Sequence, residues 1–509
     1  MKQATNLIRC LLLSAIVLPG CVSKEEFYNE AGLSRESAYK QWEGRKTAEK
    51  QTQPVIAGKL SLEDCLKLTL TNNKSLLKTL EEREAARGVE LGSYSAILPT
   101  VSLSGDYRRV DELSSFTFGG SRISFGALDN YSAGLRVTQP IFAGGAIPAR
   151  INAGRLAALL ADQAVRGAVQ ETVYAAQLGY YSVLLDQHLY TISNDAVKSA
   201  QAHLDDVKQK RTAGVASDFD VLRAEVELSN FTAQLIRSRN AINVAKANLV
   251  KIMGVSQDSS FTPSDELIYS AFNITMEQAV ANAYRNRPDL FGRELGIRQQ
   301  KELLAIAQSS YYPVVSAYYQ NGWSKPNTHN PMLVEWDSAW SYGLTAGLPL
   351  FNGFAREGSV ISQKARLKQS QIDLVDSEET ALFELTKSIL SIEDAAEFVD
   401  SQKLNLSRAE EGLRLVEVGY REGVNNQVEV VDAQSALTTA KANYYQAIYS
   451  HLVAKLDLQK AMGTLTSFEP LKTSQSAFGE TSPTGGSAPD SNNKPFDFAQ
   501  GKQMEQTKK

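Results

Sequence analysis

Apolar residues recur about every 3.6 positions along a long proline-free segment between Pro148 and Arg211. This period is typical of an α-helix with one apolar stripe. At a rise of 1.5 Å per residue, about 65 helical residues extend over roughly 100 Å, far more than a globular domain needs. A second helix is predicted for residues 219–253, and the segments 355–421 and 428–462 repeat the pair. The pattern therefore predicts two pairs of long antiparallel helices that pack side by side, as in coiled coils.

The period changes to two ahead of each long helix. Residues 61–97 favour helix and lack proline, and Pro99 ends this predicted helix. After Pro99, Val101 and Leu103 alternate with polar residues, as in a strand with one apolar and one polar face. The same alternation adds further residues to the apolar face: Tyr107, Tyr131, Ala133, Leu135, Val137, Val315, Ala317, Tyr319, Trp340, Tyr342, Leu344 and Ala346. Two β-hairpins are predicted, and their outward aromatic residues suit a membrane interface, although soluble β-sandwiches show them too.

These elements occur twice in the same order. The stretch SLEDCLKLTLTNNKSLL (61–77) matches TMEQAVANAYRNRPDLF (275–291), and Gln139-Pro-Ile-Phe matches Leu348-Pro-Leu-Phe. A fixed offset of this kind, about 209 to 214 residues here, is the signature of an internal repeat. The chain is therefore interpreted as two copies of one unit.

Four strands cannot close a barrel, and open sheet edges are not tolerated in the hydrocarbon of a membrane. If the hairpins lie in a membrane, the chain must therefore oligomerise. Two copies would supply about eight strands around a filled interior, and three would supply about twelve strands around a lumen. The polar face of the hairpins favours a water-filled lumen, because it carries Ser102, Ser104, Asp106, Arg136 and Thr138.

The N-terminus resembles an export signal. Lys2 and Arg9 precede the apolar residues 10–18, a stretch with the length of a signal-peptide core that is too short to span a bilayer. The sequence Leu18-Pro19-Gly20-Cys21 then resembles a bacterial lipobox, in which the cysteine becomes the acylated first residue of the mature protein. An ordinary signal peptide followed by a chance cysteine is the alternative. No later segment has the run of about 18 apolar residues that a transmembrane helix requires.

Composition argues against several classes of function. A net charge of −4 with 22% charged residues gives no indication of a nucleic-acid partner, so a basic groove is not expected. The three cysteines and four histidines show no metal-ligand spacing, so neither a metal site nor a cofactor is predicted. A cell-wall hydrolase would need a carboxylate pair or a metal cluster in a pocket, and no segment between the repeats offers one, so no enzyme is predicted. A periplasmic coiled-coil scaffold without channel activity explains the helices but not the strands, and it is the alternative function.

The doubled order of helix, hairpin, very long helix, Gly-Val turn and helix, together with the lipobox, resembles the TolC family of outer-membrane efflux factors in its acylated branch. The resemblance covers about residues 61–463. It implies an α+β membrane protein, a homotrimer whose twelve-stranded β-barrel in the outer membrane continues into an α-helical periplasmic tunnel. It also implies the outer-membrane channel component of a tripartite efflux or type I secretion system. Such a channel receives its substrate from an inner-membrane pump through a periplasmic adaptor protein.

By this resemblance, the turns between the long helices are periplasmic tips at which the adaptor docks. The alternative is that the glycines only form the helix turns. Glycine adopts the left-handed conformation that ends a helix without strain, which accounts for both glycines without any docking role. The docking residues that the resemblance implies are Gly214, Val215, Ala216 and Ser217 in the first tip and Gly423, Val424, Asn425 and Asn426 in the second.

Carboxylates follow both turns. Glu429 and Asp432 share a helix face because they are three residues apart. The resemblance implies that they constrict the periplasmic end of the tunnel as a gate, to which the first copy adds Asp220. The first copy has Arg223 at its second position, so only the second copy supplies a pair. The alternative is that acidic residues near a helix N-terminus complement the helix dipole.

The predicted location is the cell outer membrane, with a lipid anchor and a body that extends into the periplasm. The transported substrate, whether drug, metal ion or polypeptide, is left open. The predicted domains are a lipoprotein signal peptide (1–20), a periplasmic tether (21–60), two repeats (61–270 and 271–465) and a low-complexity tail that is expected to be disordered (466–509).

Overall fold

The computed structural model describes residues 25, 28–29, 35, 37–46 and 54–465. Cys21, the predicted signal peptide, much of the predicted tether and the predicted tail lie outside the described residues. The first copy comprises β1 (Ala57–Leu60), α1 (Leu62–Asn72), α2 (Lys74–Ser93), β2 (Thr100–Arg109), β3 (Ser114–Phe118), β4 (Ser121–Phe125), β5 (Asp129–Ala143), α3 (Ala146–Thr212), α4 (Asp218–Met253) and β6 (Ser260–Pro263). The second comprises α5 (Met276–Asn286), α6 (Pro288–Ser309), β7 (Val314–Lys325), β8 (Asp337–Gly347), α7 (Ala355–Arg421) and α8 (Gln427–Ala461).

The long helices have the predicted lengths. Helices α3 and α7 contain 67 residues each, and their antiparallel partners α4 and α8 contain 36 and 35. Helix α3 packs closely on α4 at Gly179, where a Cβ atom would lie 3.2 Å from side-chain atoms of Leu249 and Ile252. Among the described residues, no helix combines the length and the apolarity that crossing a membrane requires.

The main hydrophobic core lies at mid-length of the long helices, where α1, β1 and β6 pack against α3. Tyr180 of α3 is fully buried there, and its hydroxyl lies within hydrogen-bond distance of two acceptors, the Leu60 carbonyl at 2.8 Å and the Asp265 carboxylate at 2.6 Å. Strand β1 pairs in parallel with β6, from Ala57 opposite Ser260 to Leu60 opposite Pro263. The end of the predicted tether is thus built into the first copy.

Two local predictions were wrong in detail. The predicted helix 61–97 is broken into α1 and α2, because Asn73 leaves the helical conformation (ψ 119°) and its side chain accepts a hydrogen bond from the Leu76 amide as a new N-cap. In the second copy the same break falls at Arg287, before Pro288. The loop that was predicted between the first two strands contains a small hairpin of its own, β3 and β4.

The four long strands form one antiparallel sheet in the order β2-β5-β7-β8. Directly opposed residues point to the same face, and the register pairs Leu103 with Leu135, Val137 with Tyr319, and Ala317 with Leu344. The residues predicted to face outward therefore share one face, as the alternation indicated. Strands β2 and β8 are the edges of this sheet within the described chain.

Candidate functional site: the paired hairpin tips

The first tip ends α3 with two hydrogen bonds that close the last helical turn. The Val215 amide donates to the Lys210 carbonyl and the Gly214 amide to the Arg211 carbonyl, both over 2.9 Å. These two bonds define a Schellman motif, in which the residue after the cap adopts a left-handed conformation. Gly214 is that residue, with φ of 77°, so a residue with a Cβ atom would be strained there.

The second tip repeats this geometry at the end of α7. The Val424 amide donates to the Gly419 carbonyl over 2.8 Å, and the Gly423 amide donates to the Tyr420 carbonyl over 3.3 Å. Gly423 also has φ of 77°. In both tips the valine that follows the glycine projects into solvent, with 77% of Val215 and 82% of Val424 exposed. The repeated Gly-Val sequence therefore forms two hydrogen-bonded turns, each with an apolar side chain at its apex.

The predicted gate residue Asp220 belongs to a capping box that starts α4. Its carboxylate accepts from the Ser217 amide over 2.8 Å, while the Ser217 hydroxyl accepts from the Asp220 amide over 3.2 Å. The hydroxyl of Ser217 also donates to the carboxylate over 2.7 Å. These hydrogen bonds, from the Ser217 side chain and then its backbone, lower the pKa of Asp220. Asp220 thus satisfies a helix terminus with its carboxylate in the ionised form.

Glu429 has the same role at the start of α8. Its carboxylate accepts from the Asn426 amide over 3.3 Å, and the Asn426 side chain accepts from the Glu429 amide over 3.1 Å. The Asn425 side chain also donates to this carboxylate. Asp432 lies one turn later, is exposed, and has no ion pair within the described part of the chain. The predicted pair therefore consists of two exposed carboxylates, of which only that of Glu429 is hydrogen-bonded within the turn.

The two tips contact each other within one protomer. The Gln427 side chain, which is only 8% exposed, donates to the Asp220 carbonyl over 3.0 Å. The Lys210 ammonium lies 3.8 Å from the ring centre of Tyr420, a cation–π contact between α3 and α7. Sequence reasoning missed Gln427, Lys210 and Tyr420, because a contact between the two copies leaves no local pattern.

The sequence model of the outer membrane efflux protein family matches residues 65–255 and 279–464, which lie within the two copies. The chain belongs to this family. Membership confirms the predicted family and function class, an outer-membrane channel component of an efflux or type I secretion system, over the scaffold alternative. In the region that the structure describes, no three His, Cys, Asp or Glu side chains are grouped to hold a metal ion.

Several known proteins are similar to the chain over most of its length. Outer membrane protein TolC of Escherichia coli is 23% identical over 411 residues, which cover 77% of this chain and 80% of that protein. Proteases secretion protein PrtF of Dickeya chrysanthemi is 22% identical over 425 residues, with 80% and 88% covered. The solved structure of the outer membrane protein VceC of Vibrio cholerae superposes with a TM-score of 0.70 at 16% identity, covering 79% and 96%.

Proposed function

We propose that three copies of this chain form a channel in which the sheets make a β-barrel in the outer membrane and the long helices line a periplasmic tunnel. The observation that carries this proposal is the four-stranded sheet, which carries most of its large apolar side chains on one face and has two open edges, β2 and β8. Pairing of β8 with β2 of the next copy removes both open edges of this sheet, and three copies give about twelve strands around a lumen.

The long helices support the same assembly. Helix α4 exposes a row of large apolar side chains, and so does α7. Apolar stripes on helices that face water favour contact with further helices. These stripes consist of Phe219, Leu222, Val226, Ile236 and Val244 on α4 and of Ile372, Val375, Phe383, Leu390, Leu404 and Leu415 on α7.

The direct test combines mass and conductance. Purified protein is expected to be a trimer by native mass spectrometry in detergent and to give discrete single-channel currents in planar bilayers. A stable monomer, or a trimer that inserts into the bilayer without conductance, would contradict the proposal and restore the scaffold alternative.

The tips are the proposed docking point for a periplasmic adaptor protein, which connects the channel to an inner-membrane pump. Val215 and Val424 support this role, because two rigid turns each present one apolar side chain to solvent. Small or polar neighbours, Ala216 and Ser217 in one tip and Asn425 and Asn426 in the other, leave a shallow surface around them. Loops that a rigid scaffold positions in this way often carry binding function.

If the tunnel opens by separation of the two tips of each copy, loss of their contact is expected to favour the open state. Gln427→Ala removes the hydrogen bond to the Asp220 carbonyl, which contributes about 1 kcal/mol per protomer. The fraction of time spent open in single-channel recordings should rise. Gln209→Ala, an exposed site on α3, is the matched control and should behave as wild type. Equal open fractions in all three proteins would show that this hydrogen bond does not restrain opening.

Acylation at Cys21 is proposed from the lipobox-like sequence Leu18-Pro19-Gly20-Cys21. Cys21→Ser is expected to give an unacylated protein that still forms trimers, because the barrel holds the protein in the membrane without the lipid. Mass spectrometry of the mature N-terminus checks this directly. Cleavage at another residue, or a Cys21 without added lipid, would contradict the assignment.

A further inference from the structure

The loop between β7 and β8 presents apolar side chains to solvent although backbone hydrogen bonds tie it to itself and to the loop between β4 and β5. Met332, Leu333, Val334 and Trp336 are 60%, 44%, 53% and 56% exposed. The Asn327 amide donates to the Leu333 carbonyl and the Leu333 amide to the Asn330 carbonyl, each over 3.0 Å. The Gly126 amide, from the loop between β4 and β5, donates to the Pro331 carbonyl over 2.8 Å. A hydrogen-bonded loop with its apolar side chains outside indicates a surface that something else covers.

The ring contacts of Trp336 show which face of the sheet this loop lies against. Its ring centre lies 6.3 Å from that of Tyr131, which in turn lies 5.1 Å from Tyr107. Tyr131 and Tyr107 are directly opposed on β5 and β2 and belong to the apolar face of the sheet. The loop therefore folds over the outward side of the sheet, and its apolar residues continue that face.

The length of the strands fixes the depth of the loop. Strands β7 and β8 contain 12 and 11 residues, and a tilted strand needs about 9–11 residues to cross a bilayer. The loop joins the ends of these strands that are remote from the long helices, since α7 follows the other end of β8. With the helices in the periplasm, Trp336 stands beside the last residue of the span, at the level of the outer headgroups.

We propose that residues 331–336, which we name the rim segment, lie in the headgroup region of the outer leaflet as a lipid-contacting extension of the barrel. The proposal rests on the proposed membrane channel. Tryptophan is favoured at this depth because its ring is apolar and its indole N–H finds polar partners. Glu335 and the hydrogen-bonded side chains of His329 and Asp337 suit the polar headgroups beside it. A neighbouring copy is the weaker candidate occupant, because Trp336 leans across β7 towards β5, away from the edge at β8.

Fluorescence quenching tests this depth with the tryptophans that the chain already has. The chain contains four, and Trp42→Phe, Trp323→Phe and Trp340→Phe together leave Trp336 as the single emitter. The protein is reconstituted in phosphatidylcholine vesicles that carry bromine either near the headgroup or near the acyl-chain end. Trp336 should lose more emission to the shallow bromine than to the deep one, and acrylamide in the buffer should quench it less than a Trp42-only protein.

One control protein separates failure of this proposal from failure of the channel itself. A Trp340-only protein reports on the outward face of the sheet. Lipid quenching of Trp340 without lipid quenching of Trp336 would overturn only the proposed lipid contact of the rim segment. Quenching of Trp336 by acrylamide would then show that the rim segment lies in water. Absence of that quenching would show that another protein surface covers it. Absence of lipid quenching in both would overturn the membrane sheet and the rim segment with it.

A single substitution provides a second measurement if the multiple variants do not fold. Trp336→Phe in the otherwise unaltered chain should reduce the loss of emission that the shallow bromine causes, and Trp42→Phe should not. An unchanged loss in Trp336→Phe would also overturn the proposal.

Discussion

Arginine in place of Leu344 is expected to impair insertion and trimer assembly in the outer membrane. Leu344 lies opposite Ala317 on the apolar face of the sheet, and 70% of its surface is exposed in the single chain. If this face contacts lipid, a guanidinium near the bilayer midplane costs about 2–4 kcal/mol per protomer. Leu135→Arg, on the central strand β5, should have a similar effect. Urea unfolding of reconstituted protein measures the loss in free energy of unfolding.

The matched controls lie on the opposite face of the same strands. Ser341 pairs with Gln320, and Ser132 pairs with Asp106, so both serines belong to the polar side that faces the proposed lumen. Ser341→Arg and Ser132→Arg should leave trimer formation close to wild type. If the serine variants lose the trimer and the leucine variants keep it, lipid would contact the other face and the proposed inside and outside would be reversed.

The sequence predicted those parts of the fold that depend on local periodicity. A stripe that repeats over 67 residues leaves little freedom, which is why the bounds of α3 and α7 agree closely with prediction. Alternation likewise assigned the faces of the sheet. The pairing of β5 with β7 was not predicted. It places Val137 of the first copy opposite Tyr319 of the second, and a local sequence pattern carries no information about such a contact.

Short elements escaped prediction for the same reason. Strands β1 and β6 have four residues each and pair over about 200 positions of sequence. The break at Asn73 had a local signal, since asparagine is a strong N-cap residue, but a single cap inside a helical pattern is easily overridden.

The sequence of the tips contains a local signal, the capping-box spacing, that the prediction did not use. Ser217 followed by Asp220, and Asn426 followed by Glu429, have the spacing of capping boxes. The prediction treated these carboxylates as gate residues or as partners of the helix dipole. In the structure the carboxylates of Asp220 and Glu429 cap the helices that follow the tips. Capping is therefore a structural reason for their position, whether or not they also interact with ions. Only a substitution that preserves the cap and removes the charge separates the two roles.

Glu429→Gln with Asp432→Asn is that substitution, and it is expected to abolish block of the channel by a trivalent cation added on the periplasmic side. Glutamine at the third helical position supports a capping box as glutamate does, so α8 should start unchanged. In the proposed trimer, two carboxylates from each copy surround the narrow entrance, and a ring of negative charge attracts cations. The double variant should also lose cation selectivity, which reversal potentials in a salt gradient measure.

Asp376→Asn with Glu379→Gln is the matched control, because these exposed acids have the same three-residue spacing on α7 but lie far from the tip. This control should keep both the block and the selectivity of wild type. Glu429→Ala with Asp432→Ala should lose the block as well, and in addition some stability of the tip, because alanine cannot complete the capping box. A cation block that persists in the Gln/Asn variant would show that these carboxylates only cap the helix, and the constriction would then have to be formed by other residues of the tips.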